Sequence, residues 1–383
     1  MERENATKFI HDLLELLVRQ KGSDLFITAA FPPAIKVDGK ISPVSKTALT
    51  PQHTIELVRS VMNDKQAAEF ESTRECNFAI APPGIGRFRV NAFVQQSRVG
   101  MVLRTITTDI PKFDELGLPP VLKDVIMSKR GIMMFIGATG AGKSTSMAAL
   151  LGYRNENSYG HIITIEDPIE FVHEHRNCIV TQREVGVDTD DWDIALKNSM
   201  RQAPDVILIG EVRERHTMDY AVAFAETGHL LLATLHANST NQALDRIINF
   251  FPEERRAQLL MDLSLNTRAF VAQRLIPRRD GKGRVPAVEI MLNSPLISDL
   301  IFKGDIGGIK DLMKKSRELG MQTFDQSIFD LYEAGLITYE DALRNADSLN
   351  DLRLEIKLKG KEAKNRNIFS GIGNLDIVPE TNT

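Results

Sequence analysis

The sequence is short of cysteine, of long apolar runs and of surplus positive charge, and each shortage removes a class of protein. Two cysteines in 383 residues, Cys76 and Cys178, are too few for a disulfide framework or a four-cysteine zinc module. Both read as reduced thiols. No apolar run is long enough to span a bilayer, and Glu2, Glu4, Asp12 and Glu15 do not suit a secretory signal, so a cytoplasmic chain is expected. A formal net charge of −4 supplies no general attraction to nucleic acid or anionic lipid. No basic stripe interleaved with aromatics is present either, so no nucleic-acid partner is expected. Repeats and low-complexity runs are missing too. What remains, 43% apolar and 26% charged, is a globular chain long enough for two or three domains with cores.

One stretch organises the rest. Gly137-Ala138-Thr139-Gly140-Ala141-Gly142-Lys143-Ser144 fits the phosphate-binding pattern G-x-x-x-x-G-K-[ST] without a mismatch. Residues 132–136 before it are a buried-strand type of run, and 146–151 after it suit a helix, so the motif has its strand–loop–helix setting. The glycines let backbone N–H groups turn onto a polyphosphate, and the helix start adds its positive dipole end. Lys143 reaches the β- and γ-phosphates, Ser144 offers a hydroxyl to Mg²⁺, and Thr145 completes the nucleotide-binding set.

Ahead of this loop, residues 6–20 space their apolar side chains as an amphipathic helix that stops at Gly22. Strands at 24–28 and 34–37, a turn at Asp38-Gly39, a helix over 51–62 and strands at 76–81, 88–95 and 101–106 make residues 1–108 a small α+β domain. In Arg87-Phe88-Arg89-Val90 the alternation puts both arginines on one face. That face is either solvated or, with Arg98 and Arg104, reaches a phosphate of the same or a neighbouring chain. A proline-marked link at 109–120 follows.

Past the loop, a strand over 161–165 ends at Glu166-Asp167-Pro168-Ile169-Glu170, and one over 205–209 ends at Gly210-Glu211. Another, over 230–235, lies between Thr227-Gly228-His229 and His236. In open parallel sheets chemistry gathers at the carboxyl ends of the strands. Glu166 and Glu170 could there accept a proton from the attacking water or orient it, and Glu211 could act on Mg²⁺ through water or on the attacking water. His236 could sense a γ-phosphate, while His229, at the opposite strand end, could face a neighbour. His173, His175 and Cys178 have metal-like spacing but no evident fourth ligand, and read as a solvated loop. Residues 251–265 and 309–345 read as helices, and from Lys357 to Thr383 the chain reads as a flexible polar tail.

In order and spacing, residues 137–144, 166–170, 210–211 and 227–236 resemble the Walker A, Asp, Walker B and His boxes of the type II/IV secretion-superfamily ATPases. Gly22-Ser23-Asp24-Leu25 and Pro32-Pro33 with Val37-Asp38-Gly39 resemble that family's N-terminal PAS-like domain. Glu226-Thr227-Gly228-His229, Leu235-His236-Ala237-Asn238 and residues 318–326 are similar to the PilT/PilU family of type IV pilus retraction motors, nearer its PilU branch. The resemblance implies an α/β fold with four parts: an N-terminal α+β PAS-like domain (1–108), a linker (109–120), a RecA-like P-loop core with a helical C-terminal subdomain (121–356), and the tail (357–383). It further implies a homohexamer using ATP and Mg²⁺, with Glu170 as general base, Glu211 as Walker B acid, and Arg89 and Arg104 approaching ATP. Turnover would be coupled to pilus retraction at the inner-membrane face of the pilus machine, with an inner-membrane platform protein as partner. Two departures matter. The four-cysteine zinc element of extension motors is absent, which points to the retraction side. Where PilT-type motors carry Ala-Ile-Arg-Asn-Leu-Ile, this chain has Leu296-Ile297-Ser298-Asp299-Leu300-Ile301, which favours an accessory motor working with a PilT-type sibling. The alternative is a regulatory ATP-binding ring subunit with little motor activity of its own.

Overall fold

The computed structural model describes residues 3–37, 39–106 and 109–360. Glu2, Asp38 of the expected turn, Thr108 at the expected domain end and the tail from Lys361 lie outside the described residues. Two compact units emerge, Met1–Ile110 with Ile163–Gln202, and Pro111–Ile162 with Ala203–Thr383.

The first unit opens with β1 (Asp24–Ile27), β2 (Ala34–Val37), β3 (Lys40–Pro43), β4 (Glu75–Ile80), β5 (Arg87–Gln95) and β6 (Arg98–Ile106). They form one antiparallel sheet in the order β3-β2-β1-β6-β5-β4. The helix Arg3–Arg19 turns Ala6, Ile10, Leu13, Leu14 and Leu17 into the core at three- and four-residue intervals. Beside it packs the helix Pro51–Ser60, whose Thr50 closes a capping box with His53. Along β5 the expected alternation holds: Phe88 and Val90 are fully buried, Arg87 is half-buried and Arg89 exposed. β3 and the helix Asp64–Thr73 were not expected from the sequence, although Asn63 and Gln66 supply a legible capping box for the latter.

In chain order the remaining strands are β7 (Gly131–Ile136), β8 (Gly160–Glu166), β9 (Cys178–Glu184), β10 (Val206–Ile209), β11 (Leu230–Leu235), β12 (Thr267–Pro277) and β13 (Arg284–Leu292). In the first unit β9 lies beside β8. In the second the order is β13-β12-β7-β11-β10, parallel except for the β12–β13 hairpin. Every residue of β7, β10 and β11 is buried, which is why these strands read as apolar runs, interrupted in β11 by Thr234 alone. Their register sets Ile136 opposite Leu235 and Ile209 opposite Ala233, so Gly137, His236 and Gly210 leave the sheet at one edge.

The helices Pro295–Lys303, Ile306–Lys315, Phe324–Glu333, Tyr339–Asn345 and Leu349–Lys359 complete the helical C-terminal part. The last corrects the expected start of the tail. Leu352 and Ile356 are buried and hold the chain helical, and Lys357 and Lys359 fall in the final turn, where cations suit the helix dipole. No helix among the described residues is long and apolar enough to cross a membrane.

Candidate active site

The loop between β7 and the helix Lys143–Asn157 is shaped by glycine. Gly137 has a φ of 157° and Gly142 one of 85°. A Cβ on either would come within 2.7 Å of Gln273, meeting its carbonyl oxygen in the first case and its Nε2 in the second. No other residue fits so close an approach. Lys143 is buried and donates from Nζ to the Gly137 and Ala138 carbonyls at 2.8 and 3.0 Å, which draws its ammonium over the loop. Ser144 and Thr145 sit half-buried in the first helical turn, where amides and dipole together favour anionic oxygens. Gln273 supports the loop from behind: Nε2 donates to the Ala141 carbonyl at 2.8 Å, and Oε1 accepts from Ser146 Oγ at 2.9 Å. Sequence reasoning missed Gln273. Its signal was an amide set among Phe270, Val271, Ala272, Leu275 and Ile276.

At the tips of β10 and β11 the acid and the imidazole meet. Glu211 Oε1 lies 3.1 Å from His236 Nε2, and Oε2 accepts from Arg213 Nε at 2.8 Å. Thr234 Oγ1 donates to the Gly210 carbonyl at 2.6 Å, and Arg246 Nη1 donates to the His236 carbonyl at 2.8 Å, so both tips are braced. An open cleft of about 430 Å³ is lined by Ala138, Thr139, His236, Asn238 and Arg246. Arg213 and Arg246 were also missed; each is a cation within ten residues or so of an expected strand tip. His229 is not brought into this group. It stands at the other end of β11, about 20 Å away by strand rise, with Nδ1 within 3.0 Å of Thr227 Oγ1 and 3.1 Å of the Phe224 carbonyl.

The carboxylate loop 166–170 belongs to the first unit, and β9 backs it. Glu166 Oε1 accepts from Thr164 Oγ1 at 2.7 Å and Gln182 Nε2 at 3.3 Å. Burial pushes the Glu166 carboxyl up to about 7, and the nearby Glu170 adds to the rise, although the hydrogen bonds oppose it. Glu170 itself is exposed. Gln182 also donates to the Phe171 carbonyl and accepts from the His173 amide, at 2.8 and 2.7 Å. Two residues on, Glu184 Oε2 accepts from the Ile169 amide at 3.1 Å and from Arg87 Nη2 at 2.6 Å. The expected solvated loop around Cys178 is therefore partly this strand, with Cys178 buried. His175 Nδ1 accepts from the Val180 amide at 3.0 Å, and burial lowers the His173 pKa to about 4. Arg89 makes no ion pair among the described residues, whereas Arg104 Nε donates to Asp24 Oδ1 at 2.8 Å. Burial works to raise the Asp24 carboxyl, but the bonds from Arg104 and Ser23 outweigh it and hold it below the usual range.

The raised Glu166 gives a signed expectation. A carboxyl that ionises later in the folded than in the unfolded chain contributes stability in full below the unfolded value of 4.5, and loses it as pH rises through about 7. Glu166→Gln removes that loss. Thermal melts should therefore show the variant gaining on the parent between about pH 4.5 and pH 7 and holding that gain above it. A difference that stays flat with pH would remove Glu166 as the late-ionising group.

A family model described as type II/IV secretion system protein matches residues 2–335. The chain is 63% identical over 346 residues to the type IV pilus ATPase PilU of Pseudomonas aeruginosa, covering 90% of this chain and 91% of that protein. It is 42% identical over 337 residues to the type IV pilus retraction ATPase PilT of the same organism, covering 88% and 98%. A crystal structure of the pilus retraction motor PilT with bound ADP superposes with a TM-score of 0.85 at 38% identity, covering 90% of this chain and 99% of that one.

Proposed function

The chain belongs to the type II/IV secretion system protein family as an ATPase of the type IV pilus kind, and from that premise we propose that it is a homohexameric motor for pilus retraction, accessory to a PilT-type sibling. The observation that carries this reading is the grouping of Lys143 on a glycine-shaped loop with the Glu211–His236 pair at one edge of the sheet. Lys143 and the start of its helix bind the β- and γ-phosphates. The donor set fits Mg²⁺, which Ser144 would hold directly and Glu211 through water; the ion would neutralise charge on the phosphate oxygens. His236, oriented by Glu211, reads the γ-phosphate. Glu170 takes the proton of the attacking water, and Arg89 and Arg104 approach the phosphates. The chain works in the cytoplasm, at the inner-membrane face beside a platform protein.

The accessory role has support in the helix Pro295–Lys303. Where PilT-type motors carry arginine and asparagine, Ser298 Oγ donates to the Ser264 carbonyl at 2.7 Å, and Asp299 pairs with Lys303 of its own helix at 2.6 Å. The deciding experiment is steady-state ATP turnover of the purified chain, with particle mass measured in the same buffer. Turnover from a six-subunit particle is the expected result. A folded ring that turns nothing over would replace the motor with the regulatory ATP-binding subunit.

A further inference from the structure

One largely buried ion pair joins β5 to the end of β9, which in turn holds the carboxylate loop, and from it we infer that Arg87 and Glu184 are positioning residues for hydrolysis, fixing the backbone beside Glu170 without touching the nucleotide. The inference rests on the reading of Glu170 as general base. A single oxygen, Glu184 Oε2, accepts both the Arg87 guanidinium at 2.6 Å and the Ile169 amide at 3.1 Å. The Glu184 side chain is 5% exposed and that of Arg87 20%, so solvent screens the bond little and its charge-assisted geometry is stiff.

Ile169 is held twice, by that bond to its amide and by burial of its side chain. On the other side of Glu170, the Phe171 carbonyl and the His173 amide are held by Gln182. Gln182 and Glu184 are alternate residues of β9 and so share one face, which is the face turned to the loop. Glu170 is thus an exposed carboxylate between two anchored neighbours. The anchor nearer the chain's start extends further: Arg87 opens β5, whose Phe88 and Val90 are fixed in the core of residues 1–110 and whose register sets Arg87 opposite Ile106. A displacement of this sheet is handed to the loop through the guanidinium, the carboxylate and one amide. A pair that served folding alone would leave kcat untouched in a folded variant.

The test uses the full chain and four variants, with kcat, KM for ATP, binding of a fluorescent ADP and melting temperature measured on each. Arg87→Met removes the cation and keeps most of its stem, and Arg87→Lys restores a charge. Glu184→Gln keeps an acceptor for Ile169 and loses the ion pair, so it carries the test should Arg87→Met fail to fold. Misplacing a reacting group by about 1 Å can cost about 100-fold, so Arg87→Met should lose roughly 10- to 100-fold in kcat with KM and ADP affinity within about twofold. Glu184→Gln should move the same way, and Arg87→Lys should recover most of the loss. Folded Arg87→Met or Glu184→Gln with parental kcat, or a raised KM at unchanged kcat, would overturn the positioning role. Glu170→Gln separates the two levels. Should it keep parental turnover, the base assignment is wrong and the inference goes with it. Should it lose turnover while the pair variants do not, only the positioning role is lost.

Discussion

Glu211→Gln is expected to cut ATP turnover by roughly 10²- to 10³-fold while leaving nucleotide affinity within about threefold, the range for loss of one preorganised electrostatic group that acts in the transition state. The substitution keeps shape and one acceptor oxygen, so β10 and its fully buried neighbours have no reason to repack. What it removes is the charge that both His236 Nε2 and Arg213 Nε face, at 3.1 and 2.8 Å. His236 would lose the partner that fixes which ring nitrogen carries the proton. Its carbonyl, held by Arg246, would stay, so the imidazole would be misoriented without being displaced. Turnover and fluorescent-nucleotide titration on one preparation read both quantities. Parental turnover in a folded Glu211→Gln chain would strip Glu211 of its chemical role and leave it a brace for Arg213 and His236.

The legible parts of this molecule are those in which one physical requirement dominates. The phosphate loop can be read because Gly137 meets the Gln273 backbone and Gly142 holds a positive φ, and β7, β10 and β11 because strands covered on both faces are almost wholly apolar. Strand tips then follow from strand ends, which is how Glu211 and His236 could be expected near one another. The supports were not legible. Gln273 matters through contacts with Ala141 and Ser146, more than a hundred residues away in sequence, and the β12–β13 hairpin that carries it was not expected at all. β9 was hidden for a different reason. Its residues Thr181, Gln182, Arg183 and Glu184 are all polar, Gln182 and Glu184 because they hold the carboxylate loop, so the strand lacks the apolar alternation by which strands are recognised. The helix Leu349–Lys359 was partly masked by its own cationic last turn, which reads like the start of a polar tail.

The same contrast between a group that reacts and a group that supports makes Lys143→Ala the second large effect. Removing one preorganised donor from developing negative charge costs on the order of 10²- to 10³-fold in rate. Lys143 donates to the Gly137 and Ala138 carbonyls as well, so its loss also costs hydrogen bonds worth about 1 kcal/mol each. That second cost falls on a loop already anchored from behind by Gln273, which should keep the fold intact. Turnover should therefore collapse in a chain whose melting temperature falls by only a few degrees, in proportion to about 1–2 kcal/mol. Weaker nucleotide affinity should accompany it, because the ammonium meets the phosphates before as well as during the reaction, and this separates Lys143→Ala from Glu211→Gln, where affinity is spared. The two variants measured side by side thus divide binding from chemistry within one sheet edge. Equal affinity in both would mean that the loop amides and helix dipole hold the phosphates without the lysine, and Lys143 would then belong with the groups that act only in turnover.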